Sequence, residues 1–153
     1  MSDLIQDWAD DRYGEAGALH LPRFDATVEV YNWDGASRSY AEACARHAVG
    51  LSGDLLDRLV AATVRYRTEF LDDIGEEAPP LNTPHDVLAE VHPVTLMVPN
   101  PGDRTEPVVH LEANCDWEPE HGLEWVVRGD TVVYVGPYEG WSPWIEGTSD
   151  QSY

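Results

Sequence analysis

The chain has 153 residues, enough for one domain with its own hydrophobic core. Nine basic residues, all of them arginine, stand against 29 acidic residues, and the formal net charge at pH 7 is −20. A hydrophobic content of 42% with six tryptophans excludes an acidic disordered segment. The charge disfavours nucleic-acid binding, which needs a basic surface, and no apolar run reaches the roughly 18 residues of a membrane span.

The first 33 residues predict a short helix followed by a strand. Leu4, Ile5 and Trp8 have helical spacing and predict an N-terminal helix or a loosely docked arm within residues 1–20. From 21 to 33 apolar and polar side chains alternate, which is typical of a strand with one buried face.

Helices are predicted for the middle of the chain. Residues 38–49 carry an apolar stripe that Gly50 ends, and a longer amphipathic helix is predicted from the N-cap Ser52 to about Ile74. Thr83 is a good N-cap for a third, short helix because a proline follows it at the first helical position.

The C-terminal half predicts a meander of short strands. They are expected at 94–98, 107–115, 123–128 and 131–135, and the pair Gly129-Asp130 is typical of a two-residue hairpin turn. The order of elements favours an α+β fold with one antiparallel sheet of about four to five strands packed against two or three helices. We expect a single domain over 1–153, with an aromatic segment and polar tail over 137–153.

The two cysteines bear on the compartment. Cys44 and Cys115 do not form a dense cysteine framework, and the acidic N-terminus is unlike a signal peptide. We therefore expect two reduced, buried thiols and a cytoplasmic location.

The connection at residues 116–121 holds three acids and a histidine, which suggests either a solvated acidic loop or a divalent-cation site. If Leu111 faces Trp125 on the buried side, Glu112 and Glu124 are directly opposed on the outer face, and they repel each other unless an arginine or a metal lies between them. The residues of the metal hypothesis are His110, Glu112, Glu120, His121 and Glu124. No other cofactor is expected.

The same loop and the C-terminal aromatic segment are also candidates for contact with another protein. Two tryptophans in the Gly/Pro-rich segment either cover the end of the sheet or form an exposed patch that anchors a partner. The candidate partner-binding residues are Asp116, Trp117, Glu118, Glu120, Trp141 and Trp144.

Motifs for enzymatic chemistry are absent from the sequence. There is no Gly-x-Ser-x-Gly elbow and no glycine-rich phosphate loop with a lysine, so we expect a protein that is not an enzyme.

A resemblance covers about 25 residues near the C-terminus. Residues 115–124 read CDWEPEHGLE, with a Trp-x-x-Glu-His-Gly step, and are followed by RGD at 128–130 and VYVG at 133–136. This pattern resembles that of small bacterial immunity-protein-like domains from contact-dependent and polymorphic toxin systems. The resemblance implies an α+β fold and non-enzymatic neutralisation of a toxin by binding.

Three hypotheses for the function follow. The charge favours a module that binds a basic protein, such as a toxin domain, and draws it in electrostatically. The alternatives are a metal-binding protein with a carboxylate and histidine site on the sheet, and a salt-adapted housekeeping protein whose charge reflects its habitat. The sequence does not determine the oligomeric state.

Overall fold

The computed structural model describes residues 3–145 and contains one seven-stranded sheet, two α-helices and two 3-10 helices. The strands are β1 (Gln6–Asp11), β2 (Gly14–Leu21), β3 (Ala26–Asn32), β4 (Val91–Met97), β5 (Val108–Cys115), β6 (Leu123–Arg128) and β7 (Thr131–Gly136). The α-helices are α1 (Arg38–Val49) and α2 (Gly53–Asp73), and the 3-10 helices span Pro22–Phe24 and Pro84–Glu90. The predicted α+β class is confirmed.

The order of strands in the sheet follows the chain from β1 to β7. Neighbouring strands are antiparallel except β3 and β4, which pair in parallel with Glu29 opposite Thr95 and Tyr31 opposite Met97. The predicted antiparallel sheet of four to five strands is therefore wrong in strand number and in this pair. The physical reason is that α1 and α2 lie between β3 and β4 in the chain, and such a long crossover allows a parallel return.

The predicted N-terminal helix is also wrong, because residues 6–21 form the β1–β2 hairpin. Ile5 is buried, and its Cγ2 atom lies 2.6 Å from the position that a Cβ atom at residue 17 would occupy. Only a glycine therefore fits at position 17 beside Ile5. The apolar spacing of the first eight residues fits a helix equally well. Pairing with β2, however, gives the backbone of β1 hydrogen-bond partners on a neighbouring strand. The exposed acidic residues of β1 then cover one edge of the sheet with negative charge.

The two longer helices are confirmed close to their predicted bounds. The Ser37 hydroxyl accepts the Tyr40 N–H at 3.0 Å at the start of α1, and Gly50 follows its end. Ser52 occupies the N-cap position of α2, although its side chain makes no capping hydrogen bond. The third predicted helix is the 3-10 helix that begins after Thr83.

The core lies between α1 and α2 and one face of the sheet. Trp125 is completely buried there and donates its indole N–H to the Thr63 hydroxyl at 3.0 Å. Leu111 lies opposite Trp125, so the condition under which Glu112 and Glu124 oppose each other is met. Among the residues described, no helix combines the length and the apolar character that crossing a membrane requires.

Both cysteines are free and buried, as expected. Burial raises the pKa of the Cys115 thiol to about 11 and raises that of Cys44 as well. At neutral pH both side chains are therefore protonated and pack as small apolar groups.

Candidate functional site

The outer face of the sheet is covered in part by residues 137–145, which we call the C-terminal segment. Val126, Val133 and Tyr134 form a second apolar cluster on this face, against which Trp141 and Ile145 pack. The rings of Tyr134 and Trp141 are stacked at 4.9 Å with an interplanar angle of 21°. Trp141 therefore covers the sheet, which was one of the two expectations for it.

Glu124 holds the C-terminal segment in place from beneath. Its side chain is completely buried, and its two oxygens accept the backbone N–H groups of Glu139, Gly140 and Trp141 at 3.0–3.1 Å. His110 donates from Nε2 to the same carboxylate at 2.5 Å. Glu124 lies on the outer face of the sheet but is buried there, because the polar partners that satisfy it come from a segment 15 to 17 residues further along the chain.

The register predicted Glu112 opposite Glu124, and that pairing is confirmed. Neither a metal nor an arginine is needed between them in the described structure, since Glu124 turns to the backbone amides. Hydrogen bonds from amides stabilise the charged form of a buried carboxylate.

Arg128 fixes the far end of the C-terminal segment. Its guanidinium donates to the carbonyl oxygens of Pro143 at 2.6 Å and Ile145 at 3.0 Å. The segment is thus attached at both ends by buried or half-buried polar groups of β6.

A groove of about 640 Å³ lies between the C-terminal segment and strands β3, β4 and β5. We call it the aromatic groove because five aromatic side chains line it together with three carboxylates and no arginine. The aromatic residues are Tyr31, Trp33, Tyr138, Trp141 and Trp144, and the carboxylates belong to Glu29, Asp34 and Glu112. Trp33 is 56% exposed, an unusual state for a tryptophan.

The carboxylates of the aromatic groove give it a negative potential. Burial, followed by the charges of Asp11 and Glu29, raises the pKa of Tyr31. Burial, followed by the charges of Glu124 and Glu112, raises the pKa of Tyr138. Within residues 3–145, the side chains of the three groove carboxylates accept no hydrogen bond and form no ion pair.

The loop at 116–121 is more deeply placed than the sequence indicates. Trp117 is only 6% exposed and packs edge-on against Tyr66, with ring centroids 5.5 Å apart. Glu118 is also buried, so the prediction that these two side chains contact a partner is corrected: both face inward. The signal that could have found this is Tyr66, an aromatic residue on the apolar stripe of α2, against which another aromatic ring can pack.

The other two acids of the loop stay at the surface. Asp116 accepts a hydrogen bond from His92 Nε2 at 2.7 Å, and Glu120 is exposed. Gly122 ends the loop at φ +66, where an added Cβ would meet the Ala113 carbonyl oxygen at 2.4 Å. The loop therefore depends on a glycine at this position.

Two of the five residues of the metal hypothesis, His110 and Glu124, are paired with each other, and a third, His121, is paired with Glu118 outside the set. His110 binds Glu124, and His121 Nδ1 binds the Glu118 carboxylate at 2.8 Å. In the part of the chain that the structure describes, no group of three or more His, Cys, Asp or Glu side chains is arranged to hold a metal ion.

We expect His121 to titrate above its ordinary pKa of 6.5. The hydrogen bond to Glu118, followed by the charge of that carboxylate, raises the pKa of His121. For Glu118, burial raises the pKa, but hydrogen bonds from the His121 side chain and from the backbone N–H groups of Glu120 and His121 outweigh burial and lower it. The ion pair therefore stabilises the fold between these two pKa values, and this contribution is lost as pH falls through the Glu118 pKa or rises through the His121 pKa.

NMR titration of the imidazole resonances measures this directly. The midpoint for His121 should lie above 6.5 in the native chain and return towards 6.5 in Glu118→Gln, while Glu120→Gln should lower it less because Glu120 acts only through its charge. A native midpoint at or below 6.5 would contradict the prediction.

Comparison with known proteins adds a family but no activity. The family model described as Domain of unknown function (DUF6985) matches residues 3–143, nearly the whole chain. No curated protein and no solved structure matches it. The resemblance to immunity proteins therefore stays a prediction. The chain belongs to the DUF6985 family.

Proposed function

We propose that this protein is a non-enzymatic binding module that engages a basic protein through its acidic surface, in the manner of an immunity protein that neutralises a toxin. The observation that carries the proposal is the distribution of charge: most arginines are paired with groups of the chain itself, and the acidic excess faces outward. The buried, protonated thiols fit a reducing compartment such as the cytoplasm.

Most arginines of the chain contact a carboxylate or a backbone carbonyl of the chain itself. Arg67 is the most buried example, with its guanidinium against Glu90 at 2.9 Å. The arginines in such contacts are Arg23, Arg38, Arg46, Arg58, Arg67, Arg104 and Arg128. These seven arginines are therefore engaged by groups of the chain itself.

The acidic residues, by contrast, lie in exposed groups. Asp7, Asp10 and Asp11 are exposed on the edge strand β1, and Asp72 and Asp73 are exposed at the end of α2. A surface field of one sign accelerates association with an oppositely charged partner and repels like-charged ones. The resulting affinity falls as salt screens the charges.

The function is tested by capture at two salt concentrations. The immobilised chain is incubated with lysate of its own organism at about 50 mM and about 500 mM NaCl, between which the screening length shortens severalfold. We expect one basic protein to be recovered near equimolar amounts at low salt and lost at high salt. That protein, once purified, should lose its toxic activity when mixed with an equimolar amount of this chain.

Two results would contradict the proposal. If a partner is retained in equal amounts at both salt concentrations, its binding does not depend on the acidic surface. An eluate that contains no basic protein at low salt leaves the acidic surface without the partner it is proposed to bind.

A further inference from the structure

We propose that the aromatic groove is the docking site for an extended, arginine-bearing segment of the partner, with the guanidinium group stacked on an aromatic ring and paired with the groove carboxylates. This inference rests on the proposed function and identifies where and by what chemistry the basic partner is recognised. It moves the expected contact from the loop at 116–121, where Trp117 and Glu118 are buried, to the aromatic groove.

The chemistry of the lining selects a cation. The faces of tryptophan and tyrosine rings attract positive charge, and arginine uses them more than lysine because its planar guanidinium also stacks. Glu29, Asp34 and Glu112 stand among these rings, and none of them is neutralised by another residue in the described range 3–145. A neutral or anionic occupant would desolvate these carboxylates without compensation, and an arginine compensates them directly.

The chain already contains this kind of contact at the end of the groove. The guanidinium of Arg104 lies over the Trp144 ring at 4.5 Å, and that of Arg38 lies over the Trp8 ring at 5.1 Å. Trp144 thus shows that a ring of the groove accommodates a guanidinium in the folded protein. Trp33 and Trp141 offer further ring surface that no arginine of the described chain occupies.

The size of the groove indicates a segment rather than a single group. A volume of about 640 Å³ is within the range of sites that bind whole ligands, well above the space of one side chain. The floor consists of residues from adjacent strands, including Tyr31, Thr95 and Met97, and the C-terminal segment forms one wall. A groove with this floor and wall has room for a short segment of a partner chain.

Charge excludes other occupants. A second copy of this chain carries −20 as well and is repelled at low salt. Nucleic acids and anionic membrane surfaces are repelled for the same reason.

The test uses the full chain and labelled peptides. An octapeptide of alternating arginine and alanine is compared, by fluorescence anisotropy at low salt, with peptides of the same length that carry citrulline or lysine in place of arginine. Citrulline keeps the planar shape and removes the charge. We expect the arginine peptide to bind at least about tenfold more tightly than the citrulline peptide and several-fold more tightly than the lysine peptide, tenfold being 1.4 kcal/mol.

A pair of charge-matched variants locates the site. The double variant Glu29→Gln/Glu112→Gln should weaken binding of the arginine peptide at least about tenfold, and Trp33→Ala, at an exposed position, should weaken it severalfold. The control Glu76→Gln/Glu77→Gln removes the same charge from exposed positions outside the groove and should change the affinity less than about twofold. Circular dichroism checks that each variant is folded.

The outcomes separate this inference from the proposed function. Equal losses in the two double variants, equal affinity for the arginine and citrulline peptides, or no measurable binding of the arginine peptide would overturn the groove as the docking site. In each of those cases, salt-dependent capture of a basic protein by the native chain would leave the proposed function standing. Capture that fails while the groove still binds the arginine peptide would overturn the function alone.

Discussion

Replacing Glu124 by glutamine should lower the free energy of unfolding by about 3 kcal/mol, in the range for breaking a buried charged network. Each Glu124 oxygen accepts two of the four hydrogen bonds that reach it: Oε1 from Glu139 and Gly140, Oε2 from Trp141 and His110. A glutamine turns one of these acceptors into an NH₂ group that faces two donors. Buried donors without an acceptor are costly, and no water reaches this position to replace the lost oxygen.

Urea unfolding followed by tryptophan fluorescence measures the loss. The matched control is Glu112→Gln, which removes the same charge from the residue directly across the strand pair, where no hydrogen bond holds it in the described structure. That change should stay within about 0.5 kcal/mol of the native chain. A Glu124→Gln variant as stable as the control would show that the carboxylate does not hold the C-terminal segment.

The second large effect is expected for Arg67→Met, a loss of about 3 kcal/mol. Arg67 is 2% exposed and binds Glu90 through two nitrogens, at 2.9 and 3.0 Å. It also donates to the Pro79 carbonyl oxygen at 2.8 Å, so one guanidinium joins α2, the loop after it and the end of the 3-10 helix Pro84–Glu90. Removing it leaves a largely buried carboxylate and a carbonyl without their donor.

Chemical denaturation of two further variants tests the cause of that loss. Arg58→Met removes an arginine from the exposed i,i+4 pair with Asp54 on the same helix and should cost no more than about 0.5 kcal/mol. The double variant Arg67→Met/Glu90→Gln should recover part of the loss, since the remaining group is then neutral. If Arg58→Met and Arg67→Met lower stability equally, burial of the Arg67 pair is not the cause.

Much of the fold is predictable from local patterns. The bounds of α1 and α2 follow from an apolar stripe with capping residues at the ends, and the meander follows from alternation and the Gly129-Asp130 turn, at which Arg128 pairs with Thr131. These features depend on neighbours within about ten residues, which a sequence pattern contains.

The candidate site is less predictable because its parts come together from distant positions. Trp141 and Trp144 were found as aromatic candidates, but Tyr31 lies on β3 and Trp33 directly after it, and β3 reaches the groove only through the parallel β3–β4 pair. Trp117 and Trp141 are both tryptophans, but Trp117 lies in the core because it packs against the ring of Tyr66 on α2.

For this protein, the amino-acid order alone was sufficient for the helices, the meander, the acidic character and the absence of familiar catalytic motifs. The pairing of β1 with β2, the parallel β3–β4 pair, the burial of Glu124 and Arg67, and the aromatic groove all required the assembled fold. The reason is that each of these depends on which distant groups meet. Packing determines whether a charged side chain is solvated or buried. The sequence shows the same residue in both cases and so does not distinguish them.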